Sequence, residues 1–259
     1  MSTARPPIQK LLKQTLRKAA YTVGLQVGRF PGPDTLQGHL KSFFQRTGIN
    51  CVIDVGAHLG EYAQEIREIG YRGRIVSFEP VRTSYEVLVE KAREERDWII
   101  QHCALGSEDG EKEINIYQGT VFNSFLPSSN VGTERFGAQV ELAAKERVPI
   151  RRLDQVFGAC IEGIANPRVF LKMDTQGWDL EVVKGASGIL DRLVGLQSEM
   201  AVKQCYDGMT GYTKALEHYA SLGFQVTGMF TVARDTDGLQ VMEFDCVLLR
   251  APGAGSAAR

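Results

Sequence analysis

From Asn50 onward, short apolar runs alternate with longer stretches in which apolar residues recur every three or four positions. The runs are "CVIDV" (51–55), "RIVSFE" (74–79), "WIIQHCA" (98–104), "VFLKMD" (169–174) and "VGLQSE" (194–199). Helical patterns over 59–69, 82–95 and 178–191 separate most of them. Strand–helix alternation predicts a mostly parallel sheet with helices on both faces. The end of the chain departs from this. "GFQVTGMF" (223–230) and "EFDCVLLR" (243–250) are strand-like with no room for a helix between them, which predicts an antiparallel hairpin at one sheet edge. Between 104 and 166 the pattern is irregular, with two shorter strand candidates, "KEINIYQG" and "ERVPIRRL", flanking a polar loop.

Ahead of this body, Ile8, Leu11, Leu12 and Leu16 recur at helical spacing. Residues 1–33 also carry six cations (Arg5, Lys10, Lys13, Arg17, Lys18, Arg29) and no acid. "FPGP" (30–33) breaks the chain, and Asp34 is placed to cap a second helix over about 35–46. The expected organisation is an N-terminal helical extension (1–47), a catalytic domain (48–250) and a disordered tail, "APGAGSAAR" (251–259). A basic amphipathic helix suits packing on the body or a homodimer contact, with peripheral contact of residues 1–20 at an anionic membrane as the alternative.

Composition narrows the class. With 259 residues, 43% of them apolar and 24% charged, the chain fits one large α/β domain with modest additions. A formal net charge of −1 gives no drive toward nucleic acid, so no nucleic-acid partner is expected. The five cysteines (Cys51, Cys103, Cys160, Cys205, Cys246) are odd in number, far apart and form no CxxC pair. Reduced thiols and no metal site follow as the expectation. No apolar run approaches the roughly 18 residues of a membrane span, and the N-terminus lacks the pattern of a signal peptide. A cytoplasmic enzyme is expected.

In an open α/β sheet, ligands bind beyond the carboxyl ends of the strands where strand order reverses. The turn after "CVIDV" has Gly56-x-x-x-Gly60, with His58 where a dinucleotide site would have its middle glycine. Asp54 just before the turn suits an ammonium group better than a phosphate, since like charges repel. Glu79 ends the second strand, 19 residues after Gly60, where an acid accepts hydrogen bonds from a ribose diol. A ribose and a cation without phosphates describe S-adenosylmethionine. "FEP" (78–80) stops the second strand with a proline, "HCALG" (102–106) offers small neighbours and a backbone contact for an adenine ring, and Asp174 ends the fourth strand facing the same crevice.

With "IDVGAHLGEY", "IVSFEP", "CALG", "IRRLDQVF", "FLKMDTQGWDLEVVKGA" and "LQSEM" in this order, the chain over about 36–250 resembles the FkbM family of S-adenosylmethionine-dependent methyltransferases. The resemblance implies a Rossmann-like, seven-stranded sheet of the class I methyltransferase type. It also implies S-adenosyl-L-methionine as cofactor and O-methylation of a hydroxyl on a sugar, glycolipid or natural-product scaffold. The cofactor positions it marks are Asp54, Gly56, Ala57, His58, Gly60, Glu61, Tyr62, Glu79, Pro80, Ala104, Leu105 and Asp174. Two positions depart from the family pattern: His58 stands where asparagine is common, and Gln176 where a glutamate is common. The second removes a carboxylate from beside Asp174 and argues against a metal or a base at 176.

Methyl transfer to oxygen needs alignment and a base for the hydroxyl proton. Asp174 and Glu199, at the ends of neighbouring strands, are the first candidates, and His58 is a third because imidazole titrates near neutrality. Two loops are candidates for the acceptor. "VFNSFLPSSN" (121–130) brings Asn123 and Ser124, and "KQCYDGMTGY" (203–212) brings Tyr206. Trp178 reads as a core residue before a sulfonium-facing ring. The rival readings are a nicotinamide-dependent oxidoreductase, which fits the sheet but not the glycine spacing, and a cofactor-binding protein without catalysis.

Overall fold

The computed structural model describes residues 15, 19–24 and 31–251. The basic helix expected over 1–20 and the tail 251–259 lie almost wholly outside the described residues. Helix α1 (Leu36–Thr47) opens the body. Its N-cap is Thr35, whose Oγ1 accepts from the Gly38 amide at 3.1 Å, so the expected cap at Asp34 moves by one residue. A threonine oxygen serves an orphan first-turn amide as well as an aspartate does.

The first half of the sheet alternates as the pattern predicts: β1 (Cys51–Val55), α2 (Glu61–Glu68), β2 (Arg74–Phe78), α3 (Arg82–Ala92), β3 (Trp98–Gln101). A second, three-stranded sheet follows, made of β4 (Ala104–Leu105), β5 (Gly110–Tyr117) and β6 (Leu142–Arg151), with α4 (Asn130–Phe136) in the intervening loop. The main sheet resumes with α5 (Leu153–Cys160), β7 (Val169–Met173), α6 (Asp179–Gly185), β8 (Leu193–Ala201), α7 (Tyr212–Ser221), β9 (Phe224–Arg234) and β10 (Val241–Arg250). Ala104 and Leu105 were expected to end the third main-sheet strand. They belong to the second sheet instead, pairing with Ile150 and Arg151. The β2–β3 ladder stops at Phe78 and Gln101 because Glu79-Pro80 leaves the sheet, and the chain then turns toward β6.

The seven strands lie in the order β3-β2-β1-β7-β8-β10-β9, parallel except for the terminal hairpin. Strand order therefore reverses between β1 and β7, and the ligand crevice opens there. Burial on both faces explains why β1 and β7 read as continuous apolar runs rather than alternating ones. One core packs Ile53, Leu171 and Leu196 against α5, α6 and α7. The other packs Val52, Phe170 and Val247 against α1 and α2.

A buried polar relay pins the loop after β7. Tyr219 donates its hydroxyl proton to Ser198 Oγ at 2.9 Å, and Ser198 donates to Asp179 Oδ2 at 2.6 Å. Asp179 Oδ1 accepts from the Thr175 amide at 3.1 Å. Burial pushes the Asp179 carboxyl up, and these donors pull against it. Removing the acceptor leaves buried donors unpaired, so Asp179→Ala is expected to cost about 1.5–3 kcal/mol. Urea denaturation checks this, and a loss within error of zero would contradict the pinning role.

Candidate active site

Gly56 sits at φ +74°, and a Cβ there would lie 2.0 Å from the Asp174 carbonyl oxygen. Only glycine lets the turn press against the end of β7. The Gly56 and Ala57 amides donate to Phe78 O at 3.1 and 3.2 Å, tying the turn to β2 as well. Glu79 completes the tie. Its Oε2 accepts from the His58 amide and its Oε1 from the Val81 amide, both at 2.8 Å. Burial pushes this carboxyl up to about 7, against the pull of the two amides. Each oxygen retains a further lone pair for a ligand hydroxyl.

A cavity of about 510 Å³ opens beside this turn, a size typical of small-molecule sites. Of the expected cofactor residues, Gly56, Ala57, His58, Glu61, Tyr62, Glu79, Pro80, Ala104, Leu105 and Asp174 line it. Gly60 and Asp54 do not. Gly60, at φ +88°, serves packing: a Cβ would meet Trp98 and Leu88 within 2.9 Å. Trp178 lines the cavity while packing on the core, its ring 5.1 Å from that of Phe125.

Asp54 corrects the expectation of a carboxylate facing the ligand. It is fully buried, accepts from Ser77 Oγ at 3.0 Å, and pairs through Oδ1 with Lys172 Nζ at 3.0 Å. Lys172 also donates to Gly56 O at 3.2 Å and stands 3.8 Å from Asp174. Burial alone would push its ammonium down, but Asp54 and Asp174 hold it above the usual lysine range.

The two base candidates come together through Gln176. Its Nε2 donates to Asp174 Oδ1 at 3.0 Å and to Glu199 Oε2 at 3.1 Å. Its Oε1 accepts from the Tyr206 hydroxyl at 2.9 Å. One amide thus holds two carboxylates on one side of the cavity. Burial and then the Asp174 charge push Glu199 well above the carboxylate range. His58 lies apart from this pair, its Nε2 2.9 Å from Thr120 Oγ1 and its Nδ1 3.2 Å from Glu61.

The expected acceptor residues divide. Asn123 lines the cavity, with Oδ1 accepting from the Tyr117 amide at 2.9 Å. Ser124 and Tyr206 do not line it. Ser124 Oγ is buried and donates to Gln176 O at 2.8 Å, and buried Tyr206 supports the Gln176 amide. Both work by positioning Gln176, because their hydroxyls are turned into the loop packing. Lys172, Gln197, Glu243 and Asp245 also line the cavity and were not anticipated. A lysine inside "VFLKM" and two acids inside "MEFDC" are charges in otherwise apolar strands, a signal that was available.

Lys172→Met leaves Asp54 buried without its counter-charge and is expected to cost about 3–5 kcal/mol. The double change Asp54→Leu with Lys172→Met should recover part of that loss. A denaturant double-mutant cycle measures both, and additive losses would mean the pair is not coupled.

Residues 54–208 match the FkbM methyltransferase domain. No curated protein matches the chain. Solved structures of similar fold include a Klebsiella pneumoniae protein provisionally assigned as an O-methyltransferase (10% identity, 96% of this chain and 92% of that one, TM-score 0.46). A Listeria monocytogenes protein provisionally assigned as an S-adenosylmethionine-dependent methyltransferase is another (8% identity, 83% and 98%, TM-score 0.44). A third is an rRNA methylase from Streptococcus thermophilus (12% identity, 86% and 99%, TM-score 0.42). At such scores these likenesses carry no argument about chemistry or acceptor. The domain match displaces the nicotinamide-dependent alternative. Spanning more than half of the chain, from Asp54 to Gly208, it establishes that this protein belongs to the FkbM family of S-adenosylmethionine-dependent methyltransferases.

Proposed function

We propose that the protein methylates a hydroxyl group of a sugar, glycolipid or natural-product scaffold, using S-adenosylmethionine. The residues present fit that cofactor. Glu79 keeps lone pairs free for a ribose diol, Ala104, Leu105 and Phe78 add apolar lining to the same cavity, and the Gly56 turn brings backbone close to the crevice. When bound, the cofactor supplies an electrophilic methyl group and its own leaving group. Every other part of the reaction falls to the chain.

The observation that carries the O-methyl reading is the Gln176 clasp. It presents Asp174 and Glu199 side by side at the ends of β7 and β8, and two close carboxylates hold a proton more readily than either alone. Such a pair suits removal of a hydroxyl proton near neutral pH. Asp174 is 41% exposed at its side chain and so is open to the cavity. His58, engaged by Thr120 and Glu61, orders the turn. Seven acids line the cavity (Glu61, Glu65, Glu79, Asp174, Glu199, Glu243, Asp245), which opposes entry of a nucleic-acid phosphate backbone. That supports a small-molecule acceptor over RNA. Five buried free thiols support a reducing, cytoplasmic setting. Among the described residues no helix is long and apolar enough to cross a membrane. Asn123 at the cavity wall is the remaining candidate for an acceptor contact from the 121–130 loop.

Glu79→Ala removes the ribose acceptor and should weaken S-adenosylhomocysteine binding by about 1.5–3 kcal/mol in calorimetry. Unchanged affinity would sink the ribose assignment. For the base, Glu199→Gln and Asp174→Asn should each lower kcat by about 10²–10⁴-fold while leaving cofactor affinity nearly intact, whereas an Asp174→Asn variant that loses affinity at least as much as rate would assign Asp174 to the cofactor instead. The wild-type rate should rise with pH beyond the ordinary carboxylate range, as Glu199 loses its proton. Wild-type kcat in both variants would exclude the pair, and tight cofactor binding without turnover on any hydroxyl would favour a non-catalytic binder.

A further inference from the structure

We propose that the corner of the cavity where β8 meets β10 is an ammonium subsite, so that the hydroxyl acceptor carries a protonated amine. The inference rests on the methyltransfer reading above and narrows its acceptor class.

Four carboxylates face this corner: Asp174, Glu199, Glu243 and Asp245. Glu199 and Asp245 sit directly opposite each other across the β8–β10 ladder. The cations nearby are fewer than the acids. Lys172 answers Asp54 first, at 3.0 Å, and Asp174 less closely, at 3.8 Å, with a weaker pull on Asp245, and Arg135 acts on Glu243. Two buried polar groups that line the cavity have no hydrogen-bond partner among the described residues. Gln197, 2% exposed, donates from Nε2 to Asp245 Oδ1 at 2.9 Å, which fixes the amide's orientation and leaves Oε1 without a partner. The Tyr62 hydroxyl, on a residue 8% exposed, also has none. Orphaned buried groups of this kind are costly unless a ligand completes them.

A neutral hydroxyl would satisfy Gln197 Oε1 but leave the charge of the corner unanswered. An ammonium brings three donors and the missing positive charge together. Burial, with the Asp174 charge as a further push, raises Glu243 to about 7 and Asp245 to about 6. That is the response of carboxylates short of counter-charge. Gly56 and Glu79 lie at the ends of β1 and β2, whereas β10, which carries Glu243 and Asp245, lies three strand positions beyond β1, on the side of the cavity away from the ribose acceptor. At ~4.8 Å per strand that is roughly 14 Å across the sheet.

The test uses the full chain saturated with S-adenosylhomocysteine at neutral pH, with glucosamine, glucose and N-acetylglucosamine as probes. The three share a ring and hydroxyls, and only glucosamine carries a charge. Calorimetry and melting temperature are expected to show glucosamine binding tighter than the other two by about tenfold or more. Carrying Glu243→Gln with Asp245→Asn should abolish that preference. Equal binding of all three, preference for a neutral sugar, or no binding of glucosamine overturns the proposal. So does a double variant that stays folded and keeps the preference. S-adenosylhomocysteine affinity is measured first. If it is absent, the cofactor reading fails and takes this subsite with it. If it is present while glucosamine has no advantage, only the ammonium subsite fails.

Discussion

The buried pair of Asp54 and Lys172 holds the site together at the point where strand order reverses. The two residues are level with each other in the β1–β7 ladder, and neither has meaningful contact with solvent. Burying two charges costs several kcal/mol per ion, which only good geometry and further hydrogen bonds offset. Ser77 supplies one such bond to Asp54, and Gly56 O receives another from Lys172. The Tyr62 ring lies 5.1 Å from the ammonium and adds a cation–π contact. Because Lys172 needs the Gly56 carbonyl, and Gly56 needs to lie against the Asp174 carbonyl, the cofactor turn and the end of β7 form one mechanical unit. The glycine turn and the Asp174 side of the cavity are therefore positioned by the same interaction.

The loops on either side store some strain in service of this unit. His58 and Gln176, following β1 and β7, both adopt positive φ (48° and 51°) without being glycine. Such residues persist where the surroundings over-determine them. For His58 the constraint is Glu79, which takes its amide, and Thr120, which takes its ring. For Gln176 it is Ser124 on the main-chain carbonyl and Tyr206 on the side-chain oxygen. The polar loop 121–130 and the segment after β8 thus meet at one residue. Their hydroxyls position the amide that holds Asp174 and Glu199.

What could be read from the chain was what local pattern encodes. The alternating runs defined the parallel strands and the terminal hairpin, and the glycine turn with Glu79 located the crevice. The errors arose where register between distant strands decides the outcome. Asp54 looked available to a ligand because nothing adjacent in sequence shows that Lys172 lies level with it. Ser124 and Tyr206 looked like acceptor contacts because a hydroxyl in a loop carries no sign of whether it faces in or out. Ala104-Leu105 followed β3 closely enough to read as its end, and only pairing with Ile150 moves it to another sheet. Glu243 and Asp245 were legible in principle. They alternate with apolar residues at the period of a strand, so both had to fall on one face, and their neighbours on that strand are buried.

The charge of the cavity ties these features to the chemistry. A net charge of −1 over the whole chain hides a local concentration of acids at the ends of β7, β8 and β10. S-adenosylmethionine, held by the Gly56 turn and Glu79, would bring a positive sulfonium into these acidic surroundings, and transfer of its methyl group would remove that charge. On the proposed O-methyl reading, the hydroxyl proton would offset that loss if it stayed. Capture by the Asp174–Glu199 pair would keep the charge inside the cavity constant through the transfer, whereas release to water would leave four close carboxylates with one cation fewer. Burial and the crowding of acids, which together raise Glu199, would on that reading favour retention of the proton by the pair.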